Sequence, residues 1–214
     1  MTLISASLLS CREDLENITK EYNSLNIDFI HMDIMDGKFV PFNSFTSDEI
    51  EKIVNTTNKP LDVHLMVEKP ENYLEYYSKL NTSFITIHYE IPNYLDIIKK
   101  IKDLGIKVGI SIKPSTKVEE IYDILPLIDL VLVMSVEPGQ GGQKFMPEAL
   151  DKINKLHKKI ENLNLNVLIS VDGGINNNSA IECKKNGAQM LVIGSALANS
   201  SNKLSFLEQC KKNI

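Results

Sequence analysis

Within the stretch IDFIHMDIM, residues 27–35, apolar and polar side chains alternate from residue 30 to residue 34 as they do in a β-strand. Ile30, Met32 and Ile34 lie on one face of this strand, and His31 and Asp33 lie on the other. A parallel strand that is covered on both sides is usually apolar throughout, so the polar face needs an explanation. We expect the apolar face to pack against helices and the polar face to point into the mouth of a barrel, where barrel enzymes carry their sites.

A short strand followed by an amphipathic helix occurs eight times along the chain. The strands are predicted at residues 3–8, 27–33, 60–66, 83–88, 107–112, 129–135, 166–171 and 189–193. The helices are predicted near residues 12–24, 46–56, 70–80, 92–104, 116–125, 147–162, 178–186 and 202–212. This alternation predicts an α/β protein consisting of a single (β/α)₈ TIM barrel over residues 1–214. The alternative, a doubly wound sheet, normally has a Gly-rich loop after its first strand, and the sequence has none there.

The charge of the chain argues against several classes of function. It has 23 basic and 28 acidic residues and a net charge of −5, whereas nucleic acids and anionic membranes are bound by basic surfaces. A single phosphate group needs no net positive charge, because backbone amides can bind it. We therefore expect a small-molecule substrate and no nucleic-acid or membrane partner.

Other features of the sequence favour a cytoplasmic protein. The first ten residues, MTLISASLLS, lack the basic region that begins a signal peptide, and no apolar run is long enough to cross a bilayer. Cys11, Cys183 and Cys210 are widely spaced and include no C-x-x-C pair. Neither a disulfide framework nor a zinc ribbon is therefore expected.

Polar residues also occur at the ends of the third and seventh predicted strands, where His64 and Asp172 have the same inward parity as His31 and Asp33. Two imidazoles and two carboxylates are suitable ligands for a divalent zinc, iron, manganese or cobalt ion. The alternative is a set of interior polar groups that satisfy one another by hydrogen bonds. Four groups directed at one point favour the metal. His88, by contrast, is interpreted as a hydrogen-bonded interior histidine, and the alternative is that it supports the metal ligands from behind.

Four segments resemble the signature segments of the ribulose-phosphate 3-epimerase family, in family order. They are HMDIMDGKFVP (31–41), DVHLM (62–66), VMSVEPGQGGQ (133–143) and VDGGI (171–175). The likeness begins in the first strand at Ser5 and ends at Ser195 after the last strand, so it covers nearly the whole chain.

This resemblance implies a metal-dependent isomerase that inverts C3 of a ketopentose 5-phosphate. It implies that His31, Asp33, His64 and Asp172 bind one divalent metal ion, and that Asp33 and Asp172 are also the catalytic acid–base pair. It further implies that Ser7 and His64 contact the substrate, and it suggests a homo-oligomer. The chemistry is consistent with two carboxylates, because inversion needs one group to remove a proton from one face and another to return a proton to the opposite face.

Glycine-rich segments follow the last three predicted strands and are candidates for binding the phosphate, because glycine lets backbone amides approach an anion closely. These candidate residues are Gly139, Gln140, Gly141, Gly142, Gly173, Gly174, Gly194 and Ser195. By the same resemblance, Met35, Met66 and Met134 form an apolar cap over the reacting centre. The alternative for the methionines is ordinary filling of the core.

Departures from the family pattern bear on the substrate. Ala6 stands where proline is usual, Lys38 where histidine is common and Gln140 where phenylalanine is frequent, and the loop at residues 42–45 also differs. None of them removes a candidate metal ligand. A 3-epimerase acting on a ketohexose 6-phosphate such as D-allulose 6-phosphate is therefore an alternative.

Two other classes of protein are less favoured. A phosphate-binding barrel lyase or decarboxylase would carry a D-x-K-x-x-D segment, but here Asp36-Gly-Lys38 is followed by Pro41 where the second aspartate would stand. A Schiff-base aldolase could use Lys113, but it would not need two histidines and two aspartates. A barrel that binds metal or phosphate without catalysis is disfavoured by the presence of both Asp33 and Asp172.

Overall fold

Eight parallel strands close into a barrel in the order in which they occur along the chain. The structure is a computed structural model, and it describes residues 2–212. The strands are β1 (Leu3–Ser7), β2 (Phe29–Met35), β3 (Leu61–Met66), β4 (Thr82–His88), β5 (Lys107–Ile112), β6 (Leu130–Met134), β7 (Leu168–Asp172) and β8 (Met190–Ile193). The predicted TIM barrel is thus confirmed. Residues 1, 213 and 214 of the predicted domain lie outside the described residues.

Helices connect successive strands and cover the outside of the barrel. They are α1 (Leu15–Ser24), α2 (Ser47–Thr56), α3 (Glu71–Ser78), α4 (Tyr94–Asp103), α5 (Ala149–Asn162), α6 (Asn177–Lys185), α7 (Ser195–Ala198) and α8 (Lys203–Lys211). Helix α2 begins with a capping box in which Thr46 and Glu49 satisfy each other's backbone N–H groups. No helix within residues 2–212 has the length and apolar character that a membrane span requires.

Two connections differ from the predicted α-helices. Residues Leu9–Asp14 form a 3₁₀ helix before α1, and Val118–Leu127 form a 3₁₀ helix where an α-helix was predicted near 116–125. Pro126 lies inside the second of these segments. Since proline has no backbone N–H, it cannot donate the hydrogen bond that continues an α-helix.

The strands bury their two faces against different surroundings. The outward face, which includes Ile30, Met32 and Ile34, belongs to one apolar cluster shared with the helices. Part of the inward face forms a separate apolar cluster inside the barrel that includes Phe84 and Leu132. The polar inward residues occupy the rest of the interior, as the alternation in β2 predicts.

Candidate active site

The strand register brings the polar residues of β2 and β3 together. Asp33 on β2 is paired with His64 on β3. Two residues earlier on each strand, and deeper in the barrel, His31 is paired with Asp62. Asp172 is the last residue of β7. Because all strands are parallel, their carboxyl ends meet at one rim, and the inward side chains at those ends converge there.

Four of these side chains form what we call the candidate cation site: His31, Asp33, His64 and Asp172. Each offers one ligand atom, and these atoms all lie within 4.8 Å of one another. Oδ1 of Asp33 is 3.2 Å from Nε2 of His31 and 3.4 Å from Nδ1 of His64. Oδ2 of Asp172 is 4.0 Å from each of the same two nitrogens. The sequence-predicted set is therefore assembled around one point.

The donor atoms of the candidate cation site fit a divalent metal ion. Nε2 of His31 and Nδ1 of His64 are buried and have no hydrogen-bond partner within residues 2–212. A buried polar atom without a partner is costly, and a metal ion would satisfy both nitrogens. Two imidazole nitrogens and two carboxylate oxygens also suit a borderline metal. This buried group could hold one ion.

Side chains deeper in the barrel hold His31 and Asp33 in place. Nδ1 of His31 lies 2.7 Å from Oδ2 of Asp62, which also accepts a 2.8 Å hydrogen bond from the hydroxyl of Ser5. The hydroxyl of Ser7 donates a 2.9 Å hydrogen bond to Oδ2 of Asp33. A metal-binding histidine is commonly oriented by a carboxylate on its other nitrogen, as here.

His64 is supported by a second histidine. Its Nε2 lies 3.0 Å from Nε2 of His88, whose Nδ1 lies 3.0 Å from Oε2 of Glu90. Burial is the main cause that lowers the pKa of His88 to about 4. The interpretation of His88 as a hydrogen-bonded interior histidine is confirmed. Sequence reasoning did not identify Glu90, which lies two residues beyond the end of β4.

The ionisable groups of the candidate cation site have strongly different acidities. Burial opposes ionisation of Asp33, but His31 and His64 outweigh it and hold the pKa of Asp33 below its ordinary value. Burial and the charge of Asp33 raise the pKa of Asp172 to about 6. Burial also opposes protonation of His31, but Asp33 and Asp62 raise its pKa well above the usual range. Carboxyl groups with separated pKa values suit the roles of acid and base.

A cavity at this end of the barrel is lined by both Asp33 and Asp172. Nearly all of the remaining predicted site residues line it: Ser7, Met35, Met66, Met134, Gly139, Gln140, Gly141, Gly142, Gly173, Gly174, Gly194 and Ser195. Sequence reasoning did not single out Leu9, Ser10, Val136, Glu137, Gln143, Ile175 and Val192, which line it as well. His64 is fully buried and does not line this cavity.

Two glycines at the end of β7 let the backbone turn sharply at the wall of the cavity. Gly173 and Gly174 have φ angles of +121° and +63°. A Cβ atom at Gly174 would lie 2.3 Å from the backbone nitrogen of Phe145, and one at Gly173 would lie 2.5 Å from Val136. Only glycine fits this approach without displacing neighbouring backbone.

The three methionines of the predicted cap line the same cavity as the two aspartates. Met35 and Met66 belong to a small apolar cluster with Val40, whereas Met134 belongs to the apolar cluster inside the barrel. All three are almost fully buried. Lys113 is directed elsewhere, because its Nζ lies 4.3 Å from the centroid of the Phe39 ring.

Comparison with known proteins gives consistent matches along the chain. The family model for the ribulose-phosphate 3-epimerase family matches residues 2–198. The chain is 37% identical over 197 residues to the ribulose-phosphate 3-epimerase of Mycobacterium bovis, covering 91% of this chain and 85% of that one. It is 36% identical over 214 residues to the ribulose-phosphate 3-epimerase of Bacillus subtilis, covering 99% of each chain.

A solved structure with the same fold is more distant in sequence. 3-Hexulose-6-phosphate synthase has a TM-score of 0.66 and 15% identity, and the match covers 98% of this chain and 98% of that one. This likeness supports the barrel fold alone. The family match and the curated relatives agree with the four signature segments. The chain therefore belongs to the ribulose-phosphate 3-epimerase family, and it is an isomerase.

Proposed function

We propose that this protein interconverts D-ribulose 5-phosphate and D-xylulose 5-phosphate by removing and returning the proton on C3. The observation that carries the proposal is the convergence of two carboxylates, Asp33 and Asp172, at the floor of one cavity, with ligand atoms within 4.8 Å of each other. Carboxylates from two different strands can reach a substrate carbon from two sides, which inversion requires.

The two aspartates differ in the way that acid–base catalysis needs. Hydrogen bonding to Ser7 and proximity to His31 keep Asp33 ionised and fixed in position. Asp172 lies at the end of β7 with its side chain 18% exposed, and its raised pKa makes it the more easily protonated of the two aspartates. In one direction of the reaction Asp33 takes the proton and Asp172 donates one, and in the other direction the roles are exchanged.

His31, Asp33, His64 and Asp172 would hold one divalent metal ion. When bound, such an ion would supply positive charge that stabilises the enediolate left after loss of the C3 proton. The methionines Met35, Met66 and Met134 keep the walls near the two aspartates apolar and limit access of water to the reacting carbon.

The phosphate group of the substrate would bind at the opposite wall of the cavity. That wall is formed by Gly173, Gly174, Gly194 and Ser195 together with the segment 139–142. Backbone N–H groups in such glycine turns can bind an anion without a nearby lysine or arginine.

A ketohexose 6-phosphate is the second candidate substrate. Gln140 lines the cavity, and Gly139 approaches Val40 and Phe42 so closely that a Cβ atom would lie within 3.1 Å of both side chains. Phe42, which departs from the family pattern, thus lies close to the segment that carries Gln140.

Side-by-side assays test the proposal. The purified full chain is analysed for bound metal and is then assayed with D-ribulose 5-phosphate and D-allulose 6-phosphate. We expect one divalent ion per chain and a higher kcat/KM for D-ribulose 5-phosphate. A clear preference for the hexose would replace the proposed substrate by the second candidate, and no turnover of either sugar would overturn the proposal.

A further inference from the structure

His64 reaches the candidate cation site through Nδ1, whereas its other ring nitrogen faces His88. The two Nε2 atoms lie 3.0 Å apart, and both rings are fully buried. Two ring nitrogens at hydrogen-bond distance share one proton, so one ring donates and the other accepts. The position of that proton determines whether Nδ1 of His64 presents an electron pair or an N–H to the site.

Glu90 determines which ring donates. Its Oε2 lies 3.0 Å from Nδ1 of His88, and an ionised carboxylate can only accept. Nδ1 of His88 therefore carries a proton, and Nε2 of the same neutral ring is the acceptor. His64 then donates from Nε2 and keeps an electron pair on Nδ1. A metal ligand needs that electron pair.

The second carboxylate oxygen of Glu90, Oε1, is held by hydrogen bonds on the side away from His88. Its Oε1 accepts a 2.9 Å hydrogen bond from the backbone N–H of Lys113 and another from the hydroxyl of Thr116. The Nζ group of Lys152 donates to the backbone carbonyls of Lys113 and Thr116 at 2.8 and 2.6 Å. Since two donors occupy Oε1, the other oxygen is oriented toward the imidazole.

His31 is also oriented by a buried carboxylate, but no second histidine lies between the two groups. Asp62 contacts Nδ1 of His31 directly at 2.7 Å, which keeps the proton on Nδ1 and makes Nε2 the nitrogen that can bind a metal ion at the candidate cation site. His31 and His64 thus present opposite ring nitrogens, and each is linked on its other side to a buried carboxylate. For His64 the link passes through His88.

We propose that His88 and Glu90 are positioning residues that fix the tautomer and orientation of His64 so that Nδ1 can bind a divalent metal ion. The proposal rests on the proposed function in taking His31, Asp33, His64 and Asp172 as a cation site. It goes beyond that function by assigning a role to two residues that do not contact the substrate cavity.

Glu90→Gln separates this role from simple packing, because glutamine has nearly the same shape. The amide oxygen would stay with the Lys113 N–H and the Thr116 hydroxyl, so the amide NH₂ would face His88. His88 would then accept at Nδ1 and donate from Nε2, and the proton would move to Nδ1 of His64. If His88 serves only to pack against Phe39, whose ring centroid is 4.6 Å away, this reversal has no consequence for metal binding.

The first experiment measures Co²⁺ affinity of the metal-depleted full chain. We expect Glu90→Gln to weaken Co²⁺ binding by about 10–100-fold, the usual effect of losing a group that orients a metal-binding histidine. Glu68→Gln is the matched control: it removes an exposed carboxylate at the same end of the barrel and should keep the wild-type affinity. Equal Co²⁺ affinity of folded Glu90→Gln and wild type would overturn the proposal.

The second experiment needs no variant and applies even if Glu90→Gln fails to fold. NMR of the Zn²⁺-loaded wild-type chain with ¹⁵N-labelled histidine should show a proton on Nδ1 of His88 and on Nε2 of His64. A proton on Nε2 of His88 would overturn the proposal.

Epimerase assays distinguish this proposal from the proposed function. A weakened Co²⁺ affinity in Glu90→Gln with no turnover by the wild type would support the role of His88 and Glu90 while overturning the proposed function. Turnover by the wild type together with unchanged Co²⁺ affinity in Glu90→Gln would support the proposed function and overturn the role of His88 and Glu90. A wild-type chain that does not bind Co²⁺ would overturn both.

Discussion

The carboxylates of Asp33 and Asp172 come within 4.8 Å of each other although they belong to β2 and β7, and their pKa values are shifted in opposite directions. Like charges at this distance repel, so ionisation of one carboxylate opposes ionisation of the other. The imidazoles of His31 and His64 are closer to Asp33 than to Asp172. Asp33 is consequently the group that is ionised first.

Replacing Asp172 by asparagine should abolish most of the epimerase activity while leaving the fold intact. The amide keeps the shape of the side chain but cannot exchange a proton with the substrate, so kcat should fall by about 10²–10⁴-fold or more. Circular dichroism and a melting curve check the fold. Asp151→Asn, on the exposed side of α5, serves as the control. A fully active Asp172→Asn enzyme would contradict the acid–base assignment.

Turnover in D₂O should place deuterium on C3 of the product. With two carboxylates, the group that returns the proton is not the group that removed it, and it carries a proton from solvent. Loss of the C3 signal in the ¹H NMR spectrum of the product measures the incorporation. Product that retains hydrogen at C3 would exclude the two-carboxylate mechanism.

Metal binding should release protons at neutral pH. In the metal-free protein the raised pKa of His31 favours the imidazolium, and a metal ion must displace that proton to reach Nε2. The affinity for Co²⁺ should therefore fall as the pH is lowered. Calorimetric titrations at pH 7 in two buffers with different ionisation enthalpies count the protons. Identical binding enthalpies in both buffers would argue against this linkage.

Glu90 should stabilise the metal-free protein at neutral pH and lose this effect in acid. Burial tends to raise the pKa of Glu90, but hydrogen bonds from His88, Lys113 and Thr116 lower it to about 2 from an ordinary value of 4.5. Above pH 4.5 the full effect is present, and it is lost as the pH falls toward 2, because the unfolded chain binds the proton first. Because Glu90 is partly exposed, solvent screening reduces this effect to about 1–3 kcal/mol.

Urea unfolding at pH 6 and pH 3 tests this pH dependence. The free energy of unfolding of wild type should fall more between these values than that of Glu90→Gln, since glutamine does not titrate. Parallel decreases in the two proteins would refute the assigned role of the Glu90 carboxylate in stability.

Gly174→Ala should destabilise the protein more than Gly105→Ala. Both glycines have positive φ, +63° and +74°, so alanine costs about 1 kcal/mol or more of backbone strain at either position. Only at Gly174 does the new Cβ atom also meet backbone, 2.3 Å from the nitrogen of Phe145, whereas nothing lies within 4 Å at Gly105. Urea midpoints compare the variants, and equal losses of stability would contradict the close approach.

The fold and the main members of the site could be predicted from the sequence because they follow from periodicity. Alternation in residues 30–34 assigns His31 and Asp33 to the interior, and parallel strands bring the same end of each to one rim. The prediction of an α-helix near 116–125 was wrong in type, because residues Val118–Leu127 form a 3₁₀ helix.

The sequence by itself determined the barrel, its polar rim and the four residues His31, Asp33, His64 and Asp172, because strand parity depends only on neighbours along the chain. The tertiary structure alone decided which nitrogen of each histidine faces the centre, how Glu90 acts on His64 through His88, and why Asp33 and Asp172 differ in acidity. These properties arise from contacts between side chains on separate strands, and their distances and hydrogen bonds exist only after the barrel has closed.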